Sequence, residues 1–281
     1  MKKIFFPVVA FAMLLTFSCS KNAELPTENS EMIQEDAFME QTSAETDGIL
    51  GEMTQFIGFS LNAPEVPTKG SFWGERFLTG NVTITIRDSS SVKIITVDFG
   101  TTGNVGIDGK TRTGKLIAYI SSSGRLFSEQ VLRYLDYKVN GFLYNGRMTK
   151  TITRQVDANS QVAVIAENIK VTFPDGVVFN QRVSNMTRTY IFGEPFVLDD
   201  NFIDTFGTIT ITNSKRGTQS KQILESTPLV YKVVPGEIVK GIATTTFSDG
   251  KVNVIDYGDG TVDNKATVSN GTRTWTILLK K

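Results

Sequence analysis

From about residue 70 onward, apolar and polar residues alternate with a period of two. Val82-Thr-Ile-Thr-Ile86 and Val92-Lys-Ile-Ile-Thr-Val97 flank Asp88-Ser-Ser-Ser91, and alternation bounded by turn residues predicts a β-hairpin. Gly114 to Ile120 supplies a third strand, reached through Ile107-Asp-Gly-Lys110. Similar pairs recur at Asn140-Gly141, Asn145-Gly146, Asp175-Gly176, Asp249-Gly250 and Asn270-Gly271, each suited to the positive φ of a tight turn. Phe127 to Tyr137 is the one body segment with a helical alternative; its neighbours and the Asn-Gly turn after Val139 favour a strand. The expectation is an all-β, antiparallel, hairpin-rich body of about a dozen strands. Open sheets seldom exceed about 10 strands without curling or splitting, so two packed sheets or two similar lobes are expected. Gly193 to Asp204, with its proline and acids, marks the boundary between a first lobe at 71–198 and a second at 199–281, whose opening strand is placed at about Gly207.

The chain also echoes itself. Val183-Ser-Asn-x-Thr187-Arg188-Thr189-Tyr190 parallels Val268-Ser-Asn-x-Thr272-Arg273-Thr274-Trp275, and a fainter copy has Asp98-Phe-Gly100 ahead of Thr111-Arg112-Thr113. A repeat of this kind predicts an iterated hairpin unit.

The N-terminus follows other rules. Lys2 and Lys3 precede IFFPVVAFAMLLTF, an apolar run too short to span a bilayer as a helix of roughly 20 residues and typical of a secretory signal peptide over 1–18. Cys19, the only cysteine, follows at once. A lone cysteine in an exported chain cannot close an internal disulfide; at the cleavage site it resembles a bacterial lipobox, which implies lipid attachment at Cys19. Residues 19–70 read as an acidic tether, either with a short helix over 28–40 or without regular structure. Nine acids against Lys21 lie between Ser20 and Glu52, and from Met53 onward 26 basic residues face 20 acidic ones, a net of +6.

That excess is too dilute and unclustered for nucleic-acid binding. Histidine is absent from all 281 residues, which removes the commonest general base and the Ser-His and Cys-His nucleophile systems. Hydrolysis of sugars by two carboxylates survives this exclusion, with Asp98 and Asp256 as repeat-equivalent acids. No cofactor pattern is present.

Three constellations remain. In the Thr-Arg-Thr triplets each arginine points to the sheet face opposite its threonines. Arg112, Arg188 and Arg273 therefore form either a basic row for carboxylates, phosphates or an anionic glycan, or solvated residues beside cross-strand acids. Asp256, Asp259 and Asp263 form a calcium candidate without EF-hand spacing, or simple turn acids; YGDGT resembles the FGDG-type turn of PKD-like modules. Trp73, Trp275 and the tyrosines suit sugar stacking, whereas the repeat-equivalent places of Tyr190 and Trp275 suit core packing.

The signal ending in Cys19, VDFGTTGNVGIDGKTRTGKLI, YKVNGFLYNGRMTKT and IDYGDGTVDNKATVSNGTRTWTILL resemble a group of functionally uncharacterised all-β lipoproteins widespread in the Bacteroidota. The likeness covers most of Gly80 to Leu279. It implies a lipid-anchored cell-envelope protein, outer membrane by preference, with the side it faces left open. It brings no catalytic residues. The expected role is a non-catalytic binding or structural module with a glycan or envelope-protein partner; a histidine-free carbohydrate-active enzyme and an envelope lipid carrier are the alternatives.

Overall fold

The computed structural model describes residues 27–60, 77–78, 82–123, 127–155, 160–193 and 201–279. The signal segment, Cys19 and Trp73 lie outside them. Among the described residues one helix, α1 (Thr27–Ser60), precedes fifteen strands: β1 (Thr83–Ser89), β2 (Val92–Asp98), β3 (Asn104–Val105), β4 (Thr111–Ser123), β5 (Phe127–Val139), β6 (Phe142–Gln155), β7 (Ser160–Thr172), β8 (Phe179–Ile191), β9 (Phe202–Asn213), β10 (Gly217–Ile223), β11 (Leu229–Lys232), β12 (Glu237–Phe247), β13 (Val252–Asp259), β14 (Lys265–Ser269) and β15 (Thr274–Leu278). The body is all-β and antiparallel, and Phe127 to Tyr137 is a strand.

Among the described residues neither two sheets nor two lobes form. The strands make one sheet in the order β1-β2-β4-β5-β6-β7-β8-β9-β10-β12-β13-β14-β15, with β3 beside β4 and β11 paired to both β9 and β12. At the expected boundary β8 pairs with β9 along its length, from Asn180↔Asn213 to Ile191↔Phe202. β9 is thus a neighbouring strand of the same sheet, and Gly207 lies inside it rather than opening a new half.

A sheet this wide must curl, and it curls around α1. Side chains from seven consecutive strands reach that one helix: Arg112 to Glu45, Tyr134 to Thr46, Lys150 to Asp47, Glu167 to Ser43, Arg182 to Glu40, Asn213 to Glu35 and Lys221 to Asp36. Strands ~4.8 Å apart spread seven of them over roughly 29 Å, about three times the width of a helix. Only a wrapped sheet brings all of them to one axis.

Over residues 27–60 this departs from the reading of 19–70 as a tether, the rest of which lies outside the described residues. Among the described side chains of α1 none is exposed, and Met39, Leu50 and Met53 are wholly buried in the same core as Ile95, Leu116, Met148 and Ile165 of the sheet. Its acidic composition made the segment look solvated, and it lacks a single strong apolar face, which a helix enclosed on all sides does not need.

Turn chemistry holds where the hairpins are tight. Asn140 and Gly141, at φ 49° and 84°, close β5 onto β6, the geometry Asn-Gly favours. Asn145-Gly146 is not a turn: Gly146 sits inside β6, where a Cβ would lie 2.0 Å from the Asn168 carbonyl oxygen. There glycine serves close backbone approach instead.

The sequence echoes do not repeat structurally. Val183 to Tyr190 lies within the single strand β8, whereas Val268 to Trp275 runs from β14 through a turn into β15.

Candidate functional site

In β8 the residues Asn180, Arg182, Ser184, Met186, Arg188 and Tyr190 are buried, and those between them point outward. Charge enters the interior because the helix carries carboxylates there. Asp36, Glu40, Ser43 and Asp47 are spaced four, three and four residues apart, which aligns them in one stripe along α1.

The stripe meets a row of cations. Arg182 donates from Nη1 to Glu40 at 2.9 Å and from Nε to Glu167 of β7 at 2.8 Å. Ser184 and Ser43 also donate to Glu167, each at 2.6 Å. One turn further on, Asp47 accepts from Lys150 Nζ at 2.6 Å, from Arg188 Nη1 at 2.9 Å and from the Tyr190 hydroxyl. At the other end Lys221 pairs with Asp36 and lies 3.5 Å from Glu40. Glu45 holds Arg112 and Lys110, and Arg112 is also clasped by Asp108, at 2.9 and 2.6 Å. Glu52 accepts the Phe77 and Leu78 backbone N–H groups at 2.9 to 3.1 Å.

Proton affinities follow from who shares whom. Burial pushes the Glu40 carboxyl up, but Arg182 and Lys221 outweigh it and hold it at about 2. Asp47 and Glu167 are likewise lowered against burial, the first by Lys150 and Arg188, the second by Arg182 and Arg188. Asp36 goes the other way: burial raises it, with Glu40 adding like charge and Lys221 only partly offsetting this. Lys150 falls because it is buried and shares its one carboxylate with Arg188. Burial lifts the Tyr190 phenol far above its ordinary range. The charged groups are spent on one another, and the arrangement clamps a helix inside a sheet.

The basic row expected from the sequence therefore does not form an open face. Arg112 and Arg188 point inward, opposite their threonines as strand geometry requires, but inward is the core; Arg273 is exposed in the turn before β15. The three acids of the calcium candidate act separately: Asp256, Asp259 and Asp263 accept the backbone N–H of Gly258, Thr261 and Lys265. Among the described residues no group of three or more potential metal ligands converges. Asp98 accepts from Gly100 and pairs with Lys115 at 2.8 Å. Tyr190 is core, and Trp275 is half-buried on the edge strand β15.

Sequence reasoning missed Lys150, Arg182 and Lys221 as partners of Asp36, Glu40 and Asp47. A signal existed: Met148-x-Lys150-x-Ile152 places lysine in phase with its apolar neighbours.

Where α1 meets the rim of the sheet, Phe38, Gln41, Glu45, Lys110, Phe142 and Tyr144 border a cleft of about 60 Å³, room for a water or two. The outer face is broader. One row across the strands reads Asn185, Thr208, Gln222, Thr244, Val254, Ser269 and Thr274. The next reads Val183, Thr210, Ser220, Thr246 and Val252. Gln181-Thr212-Thr218 and Val164-Thr187-Phe206 flank them. None of these positions is charged, while Asp204, Lys240 and Asp256 stand on the same outward side of β9, β12 and β13.

In comparisons with known protein families, curated proteins and solved structures, the chain matches none.

Proposed function

We propose that the chain is a lipid-anchored cell-envelope lipoprotein of the outer membrane, held through Cys19, whose curled sheet acts as a non-catalytic binding or structural module. The observation that carries the non-catalytic reading is the use of the ionisable groups: Asp36, Glu40, Asp47 and Glu167 are each matched to a guanidinium, ammonium or hydroxyl in the helix clamp. Paired carboxylates for glycoside hydrolysis must flank a sugar, and Glu40, Asp47 and Glu167 flank arginines. The anchor rests on the short apolar run ending at Cys19 and on the resemblance to Bacteroidota lipoproteins.

Mass spectrometry of the mature chain from an envelope fraction tests the anchor. The expected result is an N-terminal Cys19 carrying diacylglycerol, lost in Cys19→Ala; an unmodified Cys19 overturns it. A glycan array and envelope pull-down with the same preparation test the module, and turnover of any polysaccharide would favour the carbohydrate-active alternative.

A further inference from the structure

We infer that Arg133 and Arg147, with Asn168 beside them, form a binding site for a tetrahedral oxyanion, a phosphate or sulfate group, on the outer face of β5 to β7. This site rests on the binding-module reading above and gives it a place and a ligand chemistry. Register sets the two arginines directly opposite each other, and Asn168 faces Arg147 from the next strand. Both arginines are exposed. Residues so placed have Cβ atoms about 5 Å apart, and like charges there repel.

Nearby cations avoid that repulsion. Lys115 stands opposite Asp98 and pairs with it at 2.8 Å, and Lys93 pairs with Asp88. No acid does this for the arginines. On their own face Arg133 is flanked by Ile117, Val131 and Leu135, and Arg147 by Asn145, Thr149 and Asn168. The diagonal charged neighbours are two more cations, Lys115 and Lys170. Glu129 and Asp136 lie further along β5, and among the described residues neither arginine makes an ion pair.

What this rung offers is donors. The Arg133 guanidinium lies 5.7 Å from the centre of the Tyr119 ring, a contact that holds its planar fork. The Gln181 amide donates to the Asn168 carbonyl oxygen at 3.0 Å, which leaves the Asn168 NH2 to donate in turn. The pair is also the last in register before β5 bulges between Arg133 and Lys138, a distortion that re-aims side chains. A guanidinium fork binds phosphate or carboxylate oxygens in pairs. A carboxylate fills one fork, whereas a tetrahedral group has oxygens enough for two, and its charge cancels the repulsion between them.

The test uses the full chain in detergent and reads its melting temperature in sodium phosphate or sodium sulfate against sodium chloride at one ionic strength, since a ligand of the native state raises it. These anions also stabilise folds by exclusion from the surface, so Arg133→Ala combined with Arg147→Ala sets the baseline increment. The expected result is a wild-type increment above that baseline, with the excess at least halved in Arg133→Lys combined with Arg147→Lys, which keeps the charge and loses the forks. Arg87→Ala combined with Arg273→Ala removes two exposed cations elsewhere and should keep the whole excess. Dextran sulfate beads and phosphatidylcholine vesicles carrying phosphatidic acid then distinguish the bearers of the group. Retention that depends on the two arginines assigns a polysaccharide ester on the first or a lipid headgroup on the second, and an excess without retention on either assigns the free ion. A wild-type increment equal to the baseline overturns the inference. So does an excess that the lysine pair keeps in full, or that the Arg87 and Arg273 control loses equally, because charge alone then explains it. If the oxyanion fails while a glycan or envelope component still binds, the module reading stands without this site; if nothing binds, both fall.

Discussion

Side by side on β8, the two faces of one strand live under opposite rules. Inward stand Arg182 and Arg188; outward stand Gln181, Val183, Asn185, Thr187 and Thr189. In most solvated sheets the charges are outside and the aliphatic residues inside. The reversal shows that the acidic helix dictates the inner face of the sheet. Replacing buried ion pairs by apolar residues is often neutral or stabilising, so their contribution here is one of fit. The stripe of Asp36, Glu40 and Asp47 meets its cations in one rotation of α1, and turning the helix by one residue would face that stripe toward apolar neighbours.

Breaking one inner partner should have the largest effect. Arg182→Met leaves Glu40 and Glu167 buried with their shared cation gone, and about 3–5 kcal/mol of stability should disappear, measured by denaturant unfolding of the full chain. A loss below about 1 kcal/mol would mean that water reaches these carboxylates.

Acid probes the same pairs together. Glu40 is held at about 2 against an ordinary 4.5, and Asp47 and Glu167 are also depressed. A depressed carboxyl stabilises the fold above its unfolded pKa, and that stability is lost as pH falls through the folded value. Unfolding free energy should therefore drop between pH 4.5 and 2, by about 3 kcal/mol from Glu40 alone. Asp36, raised by burial, titrates earlier with the opposite sign and softens the onset.

Backbone fit ranks next. Gly114, at φ 77°, lies against the bulge at Asp136, where a Cβ would stand 2.1 Å from the carbonyl oxygen. Gly114→Ala should cost about 2 kcal/mol, seen as a lower melting temperature.

Not every inner polar group is matched. Thr245 and Asn253, paired across β12 and β13, are buried with side-chain atoms lacking partners. Thr245→Val combined with Asn253→Leu should gain about 1 kcal/mol; a loss would show that ordered water serves them. On the outer face, Thr208→Ala should move stability by no more than about 0.5 kcal/mol.

How much of this was legible follows from which patterns have only one interpretation. Alternation around Val82 to Val97 and the Asn140-Gly141 turn led directly to hairpins. Thr111-Arg112-Thr113 and Thr187-Arg188-Thr189 showed that arginine and threonine face opposite sides, but with both residue types polar the period could not say which side was the core. The acidic segment hid its helix for a related reason: Glu40 and Asp47 look solvated until Arg182, Lys150 and Arg188, more than 100 residues away in sequence, are folded against them. One sheet instead of two lobes rests on the β8–β9 pairing across a proline and a run of acids, which local composition reads as a break.

The central claim is that an acidic helix lies enclosed by the sheet and clamped to it by charge. Amide hydrogen exchange of the full chain at neutral pH tests it most directly, since protection tracks the free energy of opening. The account predicts that Met39 to Met53 exchange as slowly as the middle of β6, β7 and β8. Exchange of that segment within seconds, as for a solvated tether, would contradict it.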